Sequence, residues 1–230
     1  MNLSETWAEI EEELRWRQDE IRFFSNQLSN IDTPDDQNQF RRAIVLLLYA
    51  HFEGFCKFAF LTYIKVINGE NLHCKDANFS IAASSLTDYF DALRNPENKT
   101  DYFRNALPED RKLHRFARDK EFIENMQHYD HRPLVIPDDV VDTESNLKPV
   151  VLKKMLFVLG FNHDAFTAIE GNIHLLLNYR NKIAHGQMKE GIIDTTFEKI
   201  KASTYTIMNK VKEFVMGSLT NKTFLRSPVI

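Results

Sequence analysis

TPDDQNQFRRAIVLLLYAHFEGFCKFAFLTYIKVING, residues 33–69, decides the fold. Thr33 can serve as an N-cap, and Pro34 takes the first helical position, where its missing N–H costs nothing. Asp35 and Asp36 favour the positive end of a helix. Asn68–Gly69 reads as the C-terminal stop. The residues between are apolar on most sides, so a long helix over 34–68 is expected to be the central element of the core. Its middle, from Ile44 to Ile67, is as long as a bilayer span, but His51, Glu53, Lys57 and Lys65 interrupt it. A span wants about 20 residues with few or no charges, so this segment reads as a buried core helix, with no membrane contact expected.

Outward from this helix the pattern stays helical. A first helix is expected from Ser4 or Thr6, where T-W-A-E has capping-box form, to about Ser29. Its apolar residues Trp7, Ile10, Leu14, Ile21, Phe24 and Leu28 make one stripe. Further helices fit 79–93 and 108–128, the latter opened by Pro108. Segment 129–145 carries Pro133 and Pro137 and reads as a loop, with a short extended piece at Leu134–Ile136. Helix resumes at SNLKPVVLKKMLFVLG, with Ser145 or Asn146 as cap and Gly160 as terminator. Another runs from about Asp164 to Ala184 and meets His185–Gly186. The last begins at T-T-F-E, a capping box of Thr195 and Glu198, and continues to about Leu219. No strand-length alternation and no repeat of 20–50 residues is visible. The expectation is an all-α helical bundle in one domain, 1–230. Core helices take up about 4–69 and 145–219, residues 70–144 form an insertion-like middle, and 220–230 a tail.

Composition narrows the function. The chain has 230 residues, 43% apolar and 27% charged, with 29 Lys+Arg against 33 Asp+Glu for a net charge of −4. That is the balance of a soluble globular protein rather than of a non-specific duplex-DNA binder, which shows a strongly basic face. The charge is uneven: residues 1–147 hold 17 basic and 27 acidic residues, and residues 148–215 hold 10 basic and 6 acidic. The basic C-terminal third could offer a local phosphate site. Two cysteines, Cys56 and Cys74, make no disulfide framework, and no secretory signal opens the chain, so a cytoplasmic location is expected. Phosphate-binding glycine loops, H-E-x-x-H and C-x-x-C are all lacking. His128, Asp130 and His131 are the one metal-like cluster. They lie beside Pro133 in a loop without a fourth ligand, and they read as solvated polarity, so no metal or cofactor is expected.

The constellation that carries chemistry is R-N-K-I-A-H-G, residues 180–186, at the end of the apolar run I-H-L-L-L-N-Y. A cation, an amide and an imidazole gather at one helix C-terminus, where exposed carbonyls favour positive charge. Asn181 and His185 are four apart, about 40° around a helix, so their side chains can meet; Arg180 and His185 are about 140° apart. Arg180 therefore needs its length, or a distorted last turn, to converge with His185. Glu53 is a second candidate, because a carboxylate followed by Gly54 inside an apolar helix violates local rules. It is either a surface partner of Lys57, with Gly54 admitting a close helix crossing, or a buried carboxylate that orients Arg180. His51 reads as a satisfied core or boundary histidine rather than a catalytic one.

RNKIAHG resembles the R-x(4–6)-H signature of the HEPN superfamily (higher eukaryotes and prokaryotes nucleotide-binding). LLLYAHFEGFCKFAFLTYI, residues 46–64, and SNLKPVVLKKMLFVLGF, residues 145–161, resemble the MAE-type HEPN-like nucleases of bacterial conflict systems. The resemblance covers about 34–68 and 145–215 and says little about 70–144. It implies a HEPN-like bundle in which Arg180, Asn181 and His185 form the active site of a metal-independent endoribonuclease. The implied products are a 2′,3′-cyclic phosphate and a 5′-hydroxyl. It implies a toxin or effector of a toxin–antitoxin or antiphage system, working on RNA as a homodimer, with a cognate antitoxin protein as partner. The alternative is a non-catalytic HEPN module that binds nucleotide or a protein. Some HEPN toxins carry a tyrosine just after the histidine as a modification target; here Gly186, Gln187 and Met188 follow His185.

Overall fold

The computed structural model describes residues 2–226. Eight α-helices follow in chain order: α1 (Leu3–Gln27), α2 (Pro34–Asn68), α3 (Phe79–Ser85), α4 (Thr87–Arg94), α5 (Arg111–Asp130), α6 (Pro149–Val158), α7 (Glu170–Ala184) and α8 (Asp194–Thr220). Among the described residues there is no β-strand, only isolated bridges at His73–Pro133 and Ala77–Leu225.

α2 is the central element, packed against α1, α7 and α8. Its start follows the cap chemistry: the Thr33 hydroxyl accepts from the Asp36 N–H at 3.2 Å, and Pro34 leads the first turn. Phe52, Phe55, Phe60 and Tyr63 on it are wholly buried. Truncating one such phenylalanine to alanine costs about 3–5 kcal/mol, a large share of the roughly 5–15 kcal/mol that holds a domain. By length and composition alone α2 could cross a membrane; 56% of its most apolar window is buried inside the fold.

Gly54 leaves room for the Arg17 guanidinium of α1, as a Cβ there would stand 3.2 Å from Arg17 Nη1. Arg17 pairs with Glu13 and faces His51 Nδ1 at 3.4 Å, while Glu20 reaches His51 Nε2 at 2.8 Å. His51 is thus a core histidine, and its burial pushes its pKa below the usual value.

Several helix boundaries differ from the sequence expectation. α1 is capped by Asn2, which accepts from Glu5, while Thr6 is buried with its hydroxyl on the Asn2 carbonyl. The expected helix at 79–93 is two, broken at Leu86. At the break the Thr87 hydroxyl donates to the Ser84 carbonyl, a side chain competing for helix backbone, while Ser85 Oγ accepts from the distant Val135 N–H. α5 starts at Arg111 with Asp110 as its cap, not at Pro108. α6 takes neither Ser145 nor Asn146 as cap: Ser145 has φ +59, the Asn146 side chain is bonded to Tyr49, and Lys148 precedes Pro149 at the first position. A 3₁₀ turn at Thr167–Ile169 delays α7 to Glu170. α8 starts at Asp194 without the Thr195–Glu198 box, and Asp194 pairs with Arg41 of α2 at 3.1 Å.

Within 70–144, α4 packs on α5, and α3 on α6. Leu134 and Ile136 are buried and Val135 is exposed, the alternation of the expected extended piece; the Leu134 N–H donates to the Leu72 carbonyl, and the Ile136 N–H to the Asn68 side chain. Beyond α8 the chain folds back: Phe224 is buried, and Arg226 donates to the Asp76 carbonyl. The remaining tail, 227–230, lies outside the described residues.

Candidate active site

α7 carries the site. Ile173, Leu176 and Leu177 are buried toward α2 and α8, which fixes the helix's rotation and leaves its opposite face in solvent. Its end is a six-to-one turn: Gln187 N–H donates to the Lys182 carbonyl at 2.8 Å, and Gly186 N–H to Ile183 at 3.1 Å. Gly186 sits at φ +67 with open space where a Cβ would be, so glycine is needed for its backbone conformation, not for room. His185 caps the helix, exposed, its N–H bonded to the Asn181 carbonyl at 3.0 Å. Its imidazole makes no hydrogen bond or ion pair with any described residue.

Arg180 does not reach around the helix to His185. Its Nη1 donates to the Asn181 carboxamide oxygen at 3.0 Å, and its guanidinium carbon lies 4.6 Å from the centre of the Tyr49 ring. Asn181 is therefore the link, bound to Arg180 on one side and one turn below His185 on the other. Arg180 and Asn181 are half-buried.

Tyr49 is the platform that the sequence reading missed. The signal available was its place one turn before Glu53, a polar-tipped ring in an otherwise aliphatic run. Its ring supports Arg180 from below. Its hydroxyl donates to Asn146 Oδ1 at 3.0 Å and accepts from Leu147 N–H at 2.9 Å, tying the segment before α6 to α2. Burial, and next the nearby Glu53 charge, push the phenol pKa up to about 12 against the opposing effects of the Leu147 N–H and Arg180.

Glu53 is half-buried, with Oε1 sealed from water and without a hydrogen-bond partner. It makes neither the surface pair with Lys57 nor a hydrogen bond to Arg180. Its charge acts on Tyr49, and Tyr49 holds Arg180. Burial, then Glu53, also drives the Cys56 thiol pKa far up, so this cysteine is an inert core residue; Cys74 is buried as well.

The loop after His185 is fastened to the first turns of α2. Arg42 Nη1 donates to the carbonyls of Lys189 (2.6 Å) and Met188 (3.3 Å), and Ile192 N–H donates to the Asn38 carbonyl at 2.8 Å. Gly191 touches Asn38 so closely that a Cβ would fall 2.3 Å from Asn38 Cβ. Elsewhere, His131 Nδ1 lies 3.2 Å from Lys75 Nζ, a cation. Among the described residues no three His, Cys, Asp or Glu side chains converge as metal ligands.

An all-α bundle around one long central helix has the form of a HEPN-like fold. A family model described as MAE_28990-like HEPN matches residues 7–224, and the chain belongs to that family of the HEPN superfamily. No curated protein and no solved structure matches it. It is a HEPN-type nuclease-like module, of a class whose domains are generally ribonucleases.

Proposed function

We propose that this chain is a metal-independent endoribonuclease, the toxin or effector of a bacterial toxin–antitoxin or antiphage system, acting in the cytoplasm as a homodimer and held in check by a cognate antitoxin protein. Support comes chiefly from one observation: the Arg180 guanidinium is held by the Asn181 amide, and Asn181 stands one turn before an exposed His185 whose side chain has no partner among the described residues.

RNA brings its own nucleophile. The 2′-hydroxyl gives its proton to a neutral imidazole and attacks the adjacent phosphorus. The P–O5′ bond breaks, the leaving oxygen takes a proton, and a 2′,3′-cyclic phosphate and a 5′-hydroxyl remain. Imidazole is the side chain that can take or give a proton near neutral pH, so it suits either transfer. Arg180, whose plane is set by Tyr49 and by Asn181, keeps further N–H donors for the oxygens of the phosphorane, where negative charge builds up. Asn181 orients Arg180 through its oxygen and keeps its NH₂ for a phosphate oxygen. One His185 cannot be base and acid in the same step. A second copy related by a two-fold axis near the end of α7 supplies the other imidazole.

The test is incubation of purified protein with total RNA in EDTA, followed by end-group analysis. Cyclic phosphate and 5′-hydroxyl ends are expected. Cleavage that stops with chelator and returns with magnesium overturns the reading.

A further inference from the structure

His174, Asn178, Asn181 and His185 follow at spacings of four, three and four along α7 and its cap. Such spacings hold them within about 60° around the helix axis, one polar stripe opposite the buried Leu176 and flanked by the buried Leu177. The start of α6 runs beside this stripe, and between the two lies an open groove of ≈ 460 Å³. Lys148, Val150 and Lys153 line one wall, and His174, Asn178 and Asn181 the other. Asn181 thus belongs to the groove and to the candidate active site at once.

The groove's polar groups divide in two. Lys153 is engaged, bound to Glu170 at 2.8 Å and to Asp164 at 3.3 Å, so the acidic residue of this wall is neutralised locally. Lys148, His174 and Asn178 are exposed, and their side chains make no hydrogen bond or ion pair with any described residue. One free ammonium, one imidazole and one amide therefore point donors into a channel that ends at Asn181. Val150, 68% exposed, gives the same channel an apolar contact for a ribose or a splayed base.

We infer that this groove is the track for single-stranded RNA on one side of the scissile phosphate, with Lys148 and His174 on phosphate oxygens and Asn178 on the neighbouring sugar or phosphate. The inference rests on the reading of Arg180, Asn181 and His185 as an RNA-cleaving site. His174 lies eleven residues before His185, about 16 Å along the helix axis, so it cannot exchange a proton at the same phosphate. It is a binding residue, as an imidazole in either charge state offers at least one N–H donor. A single strand fits better than a duplex, whose bases stay stacked away from an apolar contact such as Val150.

The experiment is fluorescence anisotropy of a labelled, uncleavable 2′-O-methyl RNA strand, titrated at several salt concentrations, with steady-state cleavage of unmodified RNA alongside. Lys148→Ala should weaken binding and lower the salt slope by about 0.7, the loss of one phosphate contact on a single strand. His174→Ala and Asn178→Ala should each weaken binding roughly 2- to 12-fold, as expected for one hydrogen bond. In all three KM should rise while kcat changes little. Lys154→Ala, paired with Glu144 outside the groove, is the control and should match wild type. His185→Ala should do the reverse, losing turnover and keeping affinity. Wild-type affinity and salt slope in all three groove variants overturn the track while leaving the His185 result standing. Full turnover by His185→Ala defeats the catalytic reading, and the anisotropy series still decides the groove. A shift in the monomer–dimer balance of Lys148→Ala at unchanged salt slope makes the groove a subunit contact and ends the inference.

Discussion

Tyr49 has two separable tasks, and Tyr49→Phe divides them. The hydroxyl serves stability: it is the acceptor of the buried Leu147 N–H and a donor to Asn146, whose amide lies only partly covered and can turn to water. Removing it strands one buried backbone donor, a cost of about 1–3 kcal/mol. In a chain of this size each kcal/mol moves Tm by roughly 2–4 °C. The ring serves Arg180, and phenylalanine keeps it. Tyr49→Phe should therefore melt lower by several degrees yet cleave RNA within about threefold of wild type below its transition. Tyr49→Leu loses the hydroxyl and the ring face together. The lost cation–π contact, about 0.5–2 kcal/mol, should lower kcat/KM by roughly 2- to 30-fold, since about 1.4 kcal/mol is tenfold in rate. Denaturant midpoints and initial rates, measured on both variants at a temperature where circular dichroism shows each folded, give the comparison. A Tyr49→Phe protein that is folded but as inactive as Tyr49→Leu would refute the assignment of the ring as Arg180's platform.

Other outcomes follow from the same geometry. His185→Ala should abolish cleavage and growth inhibition at a stability cost below about 1 kcal/mol, because the side chain is exposed and unpaired; Arg180→Lys should not rescue Arg180→Ala, since an ammonium cannot reproduce the planar two-oxygen contact. Glu53→Gln should stay folded and lose roughly tenfold in kcat, a typical loss when a positioning group goes. It should also bring the Tyr49 phenol pKa down, and an unmoved phenol titration would exclude Glu53 as its neighbour in solution. Burial lifts the phenols of Tyr49 and Tyr205 from 10.0 to about 12. Their neutral forms favour the folded chain fully below pH 10, so that contribution should fade as pH climbs from 10 through about 12; flat denaturant midpoints across that window would contradict it. Sedimentation at micromolar concentration should give a dimer. Because Cys56 and Cys74 are buried, Gln187→Cys should cross-link the two copies through the new thiol alone, and a monomer would count against the shared cleft.

Features set by adjacent residues were legible in the sequence; features set across space were not. Thr33 caps α2 through a contact three residues away, and Gly160 and Gly186 end α6 and α7 by adopting a backbone angle that other residues avoid. Asn146 looked equally good as a cap, but its amide is taken by a phenol 97 positions earlier. Thr195 and Glu198 have capping-box spacing, yet Asp194 is drawn to Arg41 and the helix begins there. The site divides in the same way. The heptapeptide at 180–186 supplied the candidates, whereas Tyr49, Asn38 and Arg42, which hold it from another helix, left no local signal within it. The 140° between Arg180 and His185 left convergence to the length of Arg180 or a distorted last turn; neither brings them into contact, because Arg180 turns instead to Asn181 and Tyr49.

Arg180's platform and the anchors of the loop after His185 belong to one helix, and it is the helix around which the core condenses. The end of α7 that carries the candidate site therefore has no private hinge. Amide exchange at Ile192, whose N–H is held by Asn38, should proceed only through the largest openings of the molecule. Heat inactivation should coincide with global melting instead of preceding it.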